Sequence, residues 1–276
     1  WKKKVILVLL DAFRGDYINM TDTPYLYKLS KESHYYKSLV PSFGFCERTE
    51  ILVGVNGSES GYFTAFGYDQ KLSPYRNFRS VFKILGFIEE KLNSTFFSKV
   101  IRRLIWETFK NKEGTFYPAR IPLSQLADFC LTEDGPLNLI DNNSASLYKI
   151  AQNVYLDATT SLNQYLSGTD ESRLEDVINA LDDPYDFYPT YISLLDGIGH
   201  TCGPSSSKIL DSLKYVDKQI ESFHSAVLES GHDHVIVLCG DHGMSEVHSS
   251  ANIKKIFDYL KINKLINKKT TILILE

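Results

Sequence analysis

Five side chains of the kind that hold metal ions stand in three short runs, each placed after an apolar stretch. Val5 to Leu10 leads into Asp11. Tyr191 to Leu195 leads into Asp196-Gly-Ile-Gly-His200, and Val235 to Cys239 leads through Gly240 into Asp241-His242-Gly-Met. A buried strand that ends in Asp or His delivers a ligand to the edge of a sheet, and three such strands can converge on one rim. Asp241 and His242 are neighbours, so they cannot both point the same way from a regular strand. They belong to the turn after it, where Gly240 and Gly243 supply conformational freedom. The pair offers one hard oxygen and one nitrogen, a mix suited to Zn²⁺ and tolerable to Mn²⁺ or Fe. Asp196 and His200 repeat the logic over a wider loop, whose two glycines let the chain fold back until both reach one ion. Asp11 alone reads equally well as a helix cap. It gains weight from the other two runs, because a two-ion centre needs a carboxylate on the ion that does not own His200. Donor sets of this kind serve phosphate or sulfate ester chemistry.

The elements that must position these residues follow from periodicity. The continuous apolar run at Val5 to Leu10 predicts a strand buried on both faces of a parallel sheet. Thr23 to Ser33 predicts a helix, with Thr23 as cap, Pro24 in the first position, and Leu26 and Leu29 facing inward. Tyr35 to Val40 reads as a second strand, and a further helix is expected from near Cys46 to Val53, stopped by Gly54. Thr190 to Leu195 reads as a strand. Lys208 to Glu229 places Ile209, Leu213, Val216, Ile220, Phe223 and Val227 on one helical face. Val235 to Cys239 is the next strand, so strand, helix and strand predict a right-handed crossover with parallel pairing. Ligands of such sheets gather beyond the carboxyl ends of the strands, where Asp11, Asp196 and Asp241 all fall.

Between Ser58 and Asp183 the pattern loosens into aromatic-rich helical segments, around Val81 to Ile88 and Phe96 to Phe109, broken by Gly114, Pro118, Pro122 and Pro136. The expected architecture is a three-layer α/β/α sandwich with a mainly parallel central sheet. Residues 1–276 form one catalytic domain, and 62–183 form an inserted helical cap that chooses the substrate. Extra helical packing on the sheet is the alternative reading of that insertion.

Composition excludes several classes. A hydrophobic share of 43% and a charged share of 23% are those of a globular chain, which argues against disorder. The net charge of -4 and the lack of a dense Lys/Arg block argue against a nucleic-acid patch. No apolar run is long enough for a membrane span and no signal peptide is recognisable. Cys46, Cys130, Cys202 and Cys239 show neither zinc-finger nor disulfide-framework spacing, which predicts reduced thiols and a cytoplasmic setting. The chain starts at Trp1 and stops within an apolar run at Glu276, so a fragment of a longer protein is expected. Asp16 reads as structural, and His34, His224, His232 and His234 as surface or packing residues.

Four motifs taken together, Leu-Asp11-Ala-Phe-Arg-Gly-Asp-Tyr, Thr23-Pro-Tyr-Leu-Tyr-Lys-Leu, Asp196-Gly-Ile-Gly-His200-Thr-Cys-Gly-Pro204 and Asp241-His242-Gly-Met, resemble the alkaline phosphatase superfamily. The nearest branch is the type I phosphodiesterase and nucleotide pyrophosphatase group. The resemblance implies a bimetallic site, usually zinc, that attacks a small-molecule phosphate ester in line. It implies that Asp196 and His200 hold one ion, while Asp11, Asp241, His242 and the nucleophile hold the other. The family supplies a further His to the first ion from far downstream. His248 stands only six positions past His242, so that ligand is expected beyond Glu276. The family also places a Thr, Ser or modified Cys before the helix leading to a Gly such as Gly54. Counting back without gaps puts Gly44 there, which cannot attack. Ser42, Cys46 and Thr49 are the nearby candidates, with Cys46 preferred because a thiol at a helix N-terminus beside zinc deprotonates readily. A water activated at the metal site is the alternative attacker. Arg48 could grip a phosphate oxygen through its forked donors, or pair with Glu47 or Glu50. The rival functions are a sulfatase-like or phosphonate-cleaving hydrolase, a phospho-headgroup transferase, and a non-catalytic binder of a nucleotide or protein partner.

Overall fold

The apolar run after Lys4 becomes the middle strand of a parallel sheet, and the remaining elements are arranged around it. The computed structural model describes residues 3–39, 50–51, 54, 56, 66–112, 114–118, 121–131, 168–249, 256 and 259–260. Along them run β1 (Lys4–Leu10), α1 (Pro24–Glu32), β2 (Phe66–Tyr68), α2 (Arg79–Leu92) and α3 (Thr95–Phe109). Then come β3 (Phe129–Leu131), α4 (Asp170–Asn179), β4 (Phe187–Ile192), α5 (Leu194–Cys202), α6 (Ser207–Glu229) and β5 (His234–Gly240). Residues 1–65 with 133–246 make one unit, and residues 66–132 with 247–276 a second.

In the first unit the strand order is β4-β1-β5, and both neighbours run parallel to β1. Side chains alternate across a strand, and β1 uses both faces. Ile6, Val8 and Leu10 enter one core with residues of α1, α4 and α6, while Leu7 and Leu9 pack with Phe187 and Tyr191, against which Ile51 and Cys239 also lie. Helices thus flank a mainly parallel sheet, the expected α/β sandwich. α6 buries Ile209, Leu213, Val216, Ile220, Phe223 and Val227, the face predicted from spacing. Six such side chains contribute on the order of 10 kcal/mol before chain ordering is counted.

Several local expectations are corrected. β4 and β5 do not pair with each other; β1 lies between them. Residues 35–39 form no strand, and Tyr36 and Leu39 are largely exposed. With no apolar face to bury, the aromatic β-propensity of that stretch has nothing to act on. β4 starts and ends earlier than predicted, because Leu194 and Leu195 open a helix and do not close the strand. Thr23 does not cap α1: its hydroxyl donates to the Tyr17 carbonyl at 2.7 Å. The cap comes from buried Asp217 on α6, whose two oxygens accept from the Tyr25 N–H (3.0 Å) and the Leu26 N–H (2.8 Å). The helix expected up to Val53 is described only at Glu50 and Ile51, which are helical, and at Gly54, which takes the positive φ of 77° suited to a helix stop.

The second unit has its own core of Tyr75, Phe82, Ile105, Phe116, Ile121, Leu123, Leu126 and Phe129. α2 and α3 contain the two helical segments read from the sequence; α3 adds one residue at its start, while α2, at 14 residues, extends well beyond Val81 to Ile88 at both ends. β2 and β3 pair antiparallel over three residues each, too short to show as alternation. Arg102 is nearly buried and joins α3 to the rest, donating to both oxygens of Glu89 (2.8 and 3.1 Å) and to the Ile121 carbonyl (2.8 Å). Among the described residues no helix is long and apolar enough to cross a membrane.

Candidate metal centre

β1 ends at Leu10, which lies opposite Ile192 of β4 and Gly240 of β5. Parallel register therefore sets Asp11 and Asp241 side by side at the carboxyl rim, and the Asp11 N–H continues the ladder to the Ile192 carbonyl at 2.9 Å. Both are buried, at 7% and 9% exposure. The rim is held by close backbone packing. A side chain at Gly240 would put its first carbon 2.6 Å from the Phe13 carbonyl oxygen. Ala12 adopts a left-handed φ of 55° and gives its N–H to Asp241 Oδ1 at 3.2 Å. A non-glycine residue there carries strain of about 1–2 kcal/mol.

Asp196 arrives differently from the expectation. It lies on the first turn of α5, four residues past the end of β4, and His200 follows one turn later. The glycines between them do not fold the chain back, since neither has a positive φ. Gly199 instead leaves room for the Met244 side chain, whose sulfur lies 2.6 Å from where a first side-chain carbon would stand. The i,i+4 spacing of the helix itself brings His200 Nε2 to 3.2 Å from Asp196 Oδ1. The His200 side chain is 72% exposed.

Among the described residues, Asp11, Asp196 and His242 each offer one ligand atom, all within 4.8 Å of one another. His242 Nε2 stands 3.2 Å from Asp11 Oδ1 and 4.0 Å from Asp241 Oδ1. Its Nδ1 lies 3.1 Å from the Gly243 carbonyl, which leaves Nε2 as the nitrogen aimed at the carboxylates. Asp241 Oδ1 also accepts the His242 N–H at 2.8 Å, so this carboxylate shapes the turn as well as facing the cluster. Asp11 Oδ2 accepts a hydrogen bond from the buried hydroxyl of Tyr191. Asp11 Oδ1 is buried and has no hydrogen bond besides the approach of the His242 ring at 3.2 Å.

Electrostatics match that geometry. Burial raises the Asp11 carboxyl above its ordinary range. The His242 ring opposes the shift, while the negative charges of Asp241 and Asp196 add to it. His242 is raised to about 9, first by its contact with Asp11 and then, against the effect of burial, by Asp241. Three carboxylates beside one imidazole leave excess negative charge here, which adds to both shifts. A divalent cation would neutralise it and occupy the orphaned Asp11 oxygen. The donor set therefore fits a metal ion.

The chain belongs to the type I phosphodiesterase / nucleotide pyrophosphatase family. The model of that family matches residues 5–274, which also makes the chain a member of the alkaline phosphatase superfamily. No curated protein matches the chain. As a phosphodiesterase-family chain it is a phosphoester hydrolase by kinship, and the Asp11/Asp196/His242 cluster is its candidate metal-binding group.

Of the predicted site residues, Asp11, Asp196, His200, Asp241 and His242 all fall at the carboxyl rim or on the helix that leaves it. Cys46 and Arg48 lie outside the described residues, as do Ser42, Gly44 and Thr49. Sequence reading missed Tyr191. Its only signal was a phenol in a buried strand, whose polar tip must find a partner. Arg14 was also passed over. Its fork grips Asp16 at 2.6 and 2.8 Å while Nη1 donates to the Met244 carbonyl at 3.0 Å, tying the turn after β1 to the turn after β5. Asp16 is thereby structural, as expected. His224 and His232 are packing and surface residues, bound to the Tyr25 hydroxyl and to Asp182.

Proposed function

We propose that this chain is a metal-dependent hydrolase cleaving phosphodiester or pyrophosphate bonds of small-molecule esters by in-line attack. The observation that carries the reading is that Asp11, Asp196 and His242 each bring a ligand atom within 4.8 Å of the others, the nearest described donor to the buried Asp11 Oδ1 being the His242 ring at 3.2 Å. We assign two divalent ions, zinc by donor chemistry with manganese or iron as alternatives. Asp196 and His200 would hold one, and Asp11, Asp241 and His242 the other. When bound, such ions supply Lewis-acid stabilisation of charge on the phosphoryl oxygens.

The protein's own groups prepare that site. Tyr191 holds one Asp11 oxygen so that the other faces the pocket, and the Gly243 carbonyl orients the His242 ring. His242 must release the proton that Asp11 favours before it can act as a ligand. We assign Cys46 as nucleophile. Its thiolate forms a sulfur–phosphorus bond as the bond from phosphorus to the leaving oxygen breaks. That oxygen takes up a proton, and water then cleaves the thiophosphate. Arg48 would steady a phosphate oxygen through its planar fork. We further propose that the region 62–183, whose residues 66–131 contain the helices and short strands of the second unit, selects the substrate.

The test is metal analysis together with turnover of bis-p-nitrophenyl phosphate by the wild type, Cys46→Ala and Asp241→Ala. A metal-loaded wild type that cleaves the diester, with both variants folded and slower by at least about 100-fold, supports the reading. A metal-loaded wild type that cleaves no diester or pyrophosphate overturns it. Full activity in Cys46→Ala moves the attack to Ser42, Thr49 or water.

A further inference from the structure

A buried ion pair on α4 grips the junction between β4 and α5. The side chains of Asp170 and Arg173 are 9% and 6% exposed and bonded to each other. Asp170 is not the cap of its own helix; Thr169 performs that role through a capping box. Instead Asp170 Oδ1 accepts from the Ser193 N–H (3.0 Å) and hydroxyl (2.9 Å), and Oδ2 accepts from the Leu194 N–H (3.0 Å). Ser193 precedes α5 and makes no side-chain cap there, so the orphan N–H groups of α5 are capped from another helix. Arg173 Nε donates to the Tyr191 carbonyl at 2.9 Å, and its Nη2 reaches the Ser193 hydroxyl at 3.2 Å. One ion pair thus holds three backbone groups within four residues.

The candidate metal centre hangs from those residues. Tyr191 donates its hydroxyl to Asp11, and Asp196 comes two positions after Leu194. Stability alone does not call for a buried ion pair, because well-packed apolar residues often serve as well or better. An apolar pair could not hold a carbonyl and two N–H groups in fixed places. We propose that Asp170 and Arg173 are positioning residues, which lock the β4–α5 junction so that the Asp196 carboxylate and the Tyr191-held Asp11 carboxylate face one another. This rests on the metal-site reading above.

The matched control lies in the same unit. Asp217 is another buried carboxylate capping a helix from a distance, but the helix is α1, which carries none of the site residues. The experiment compares Asp170→Asn, Arg173→Lys and Asp217→Asn with the full chain. Zinc affinity is read by competition with a chromophoric chelator, and amide hydrogen exchange is read on metal-free protein. Asp170→Asn and Arg173→Lys should each lose about ten- to a hundredfold in zinc affinity and exchange faster at Leu194 to Gly197. Asp217→Asn should lower the unfolding midpoint yet bind zinc within about twofold of the wild type, roughly 0.4 kcal/mol. Zinc binding at wild-type strength by folded Asp170→Asn or Arg173→Lys overturns the proposal. So does an equal affinity loss in Asp217→Asn. If Asp170→Asn does not fold, Arg173→Lys carries the comparison. If the wild type itself takes up no zinc, the metal-site reading fails, and exchange alone judges the clamp. Faster exchange confined to the start of α5 supports it, and unchanged exchange overturns it.

Discussion

Tyr191→Phe removes one hydroxyl from the interior and leaves the ring in place. That hydroxyl is the only hydrogen-bond donor described on Asp11, since the other carboxylate oxygen has none. After the change, Asp11 would keep only the 3.2 Å approach of His242 while remaining 7% exposed. A hydrogen bond to a charged acceptor contributes about 1.5–3 kcal/mol net. In metal-free protein the carboxyl, already raised by burial, can escape part of that loss by taking up a proton. The expected loss of folding stability is therefore about 1–2 kcal/mol. Zinc cannot bind the protonated acid, so its affinity should fall by ten- to a hundredfold, about 1.4–2.8 kcal/mol. The pH below which zinc is released should also move upward. Urea unfolding in a chelator and zinc titration across pH measure the two quantities. A Tyr191→Phe protein that matches the wild type in stability and in the acid limb of zinc binding would refute the reasoning.

Other expectations follow from the same contacts. Gly240→Ala should cost about 1–3 kcal/mol and weaken metal binding, because the new carbon meets the Phe13 backbone carbonyl, which cannot swing aside; thermal unfolding and zinc titration check both. In metal-free protein the His242 ring should titrate near 9, well above the ordinary 6.5. The stability it contributes is then full below pH 6.5 and lost as pH rises through 9. Zinc competes with that proton, so affinity should climb toward pH 9 and level off beyond, as NMR of the ring and metal titration would show. A ring titrating near 6.5 would contradict the Asp11 contact. Arg102→Ala should destabilise the second unit by about 2–4 kcal/mol, because it leaves the largely buried Glu89 carboxylate with the Ser98 hydroxyl in place of its ion pair. Zinc affinity should not change.

What the sequence made legible is what burial and periodicity write locally. β1 and β5 are continuous apolar runs, so their ends, and with them Asp11 and Asp241, were readable as rim positions. α6 was readable because six apolar residues repeat at helical spacing. Asp196 and His200 were identified by type but given the wrong backbone. Leu194 and Leu195 look like the end of a strand, and the carboxylate that turns them into a helix start sits on Asp170, more than twenty positions upstream. The same kind of distant cap hid the role of Asp217 at α1, where Thr23 looked sufficient. Tyr35 to Leu39 carries strand-like residue types with no face to bury. Tyr191 escaped notice because its partner is separated from it by 180 positions. Fold class and the rim placement of Asp11 and Asp241 were thus legible, while the contacts that orient these side chains were not.

The central claim is that Asp11, Asp196 and His242 meet at one centre for two neighbouring cations. Anomalous scattering from crystals of the full chain grown with zinc, recorded on both sides of the zinc absorption edge, tests it most directly. The account predicts two strong peaks about 4 Å apart, one bonded to His242 and the freed Asp11 oxygen and the other to Asp196. A map that shows no peak there, although the same protein binds zinc elsewhere, would contradict it.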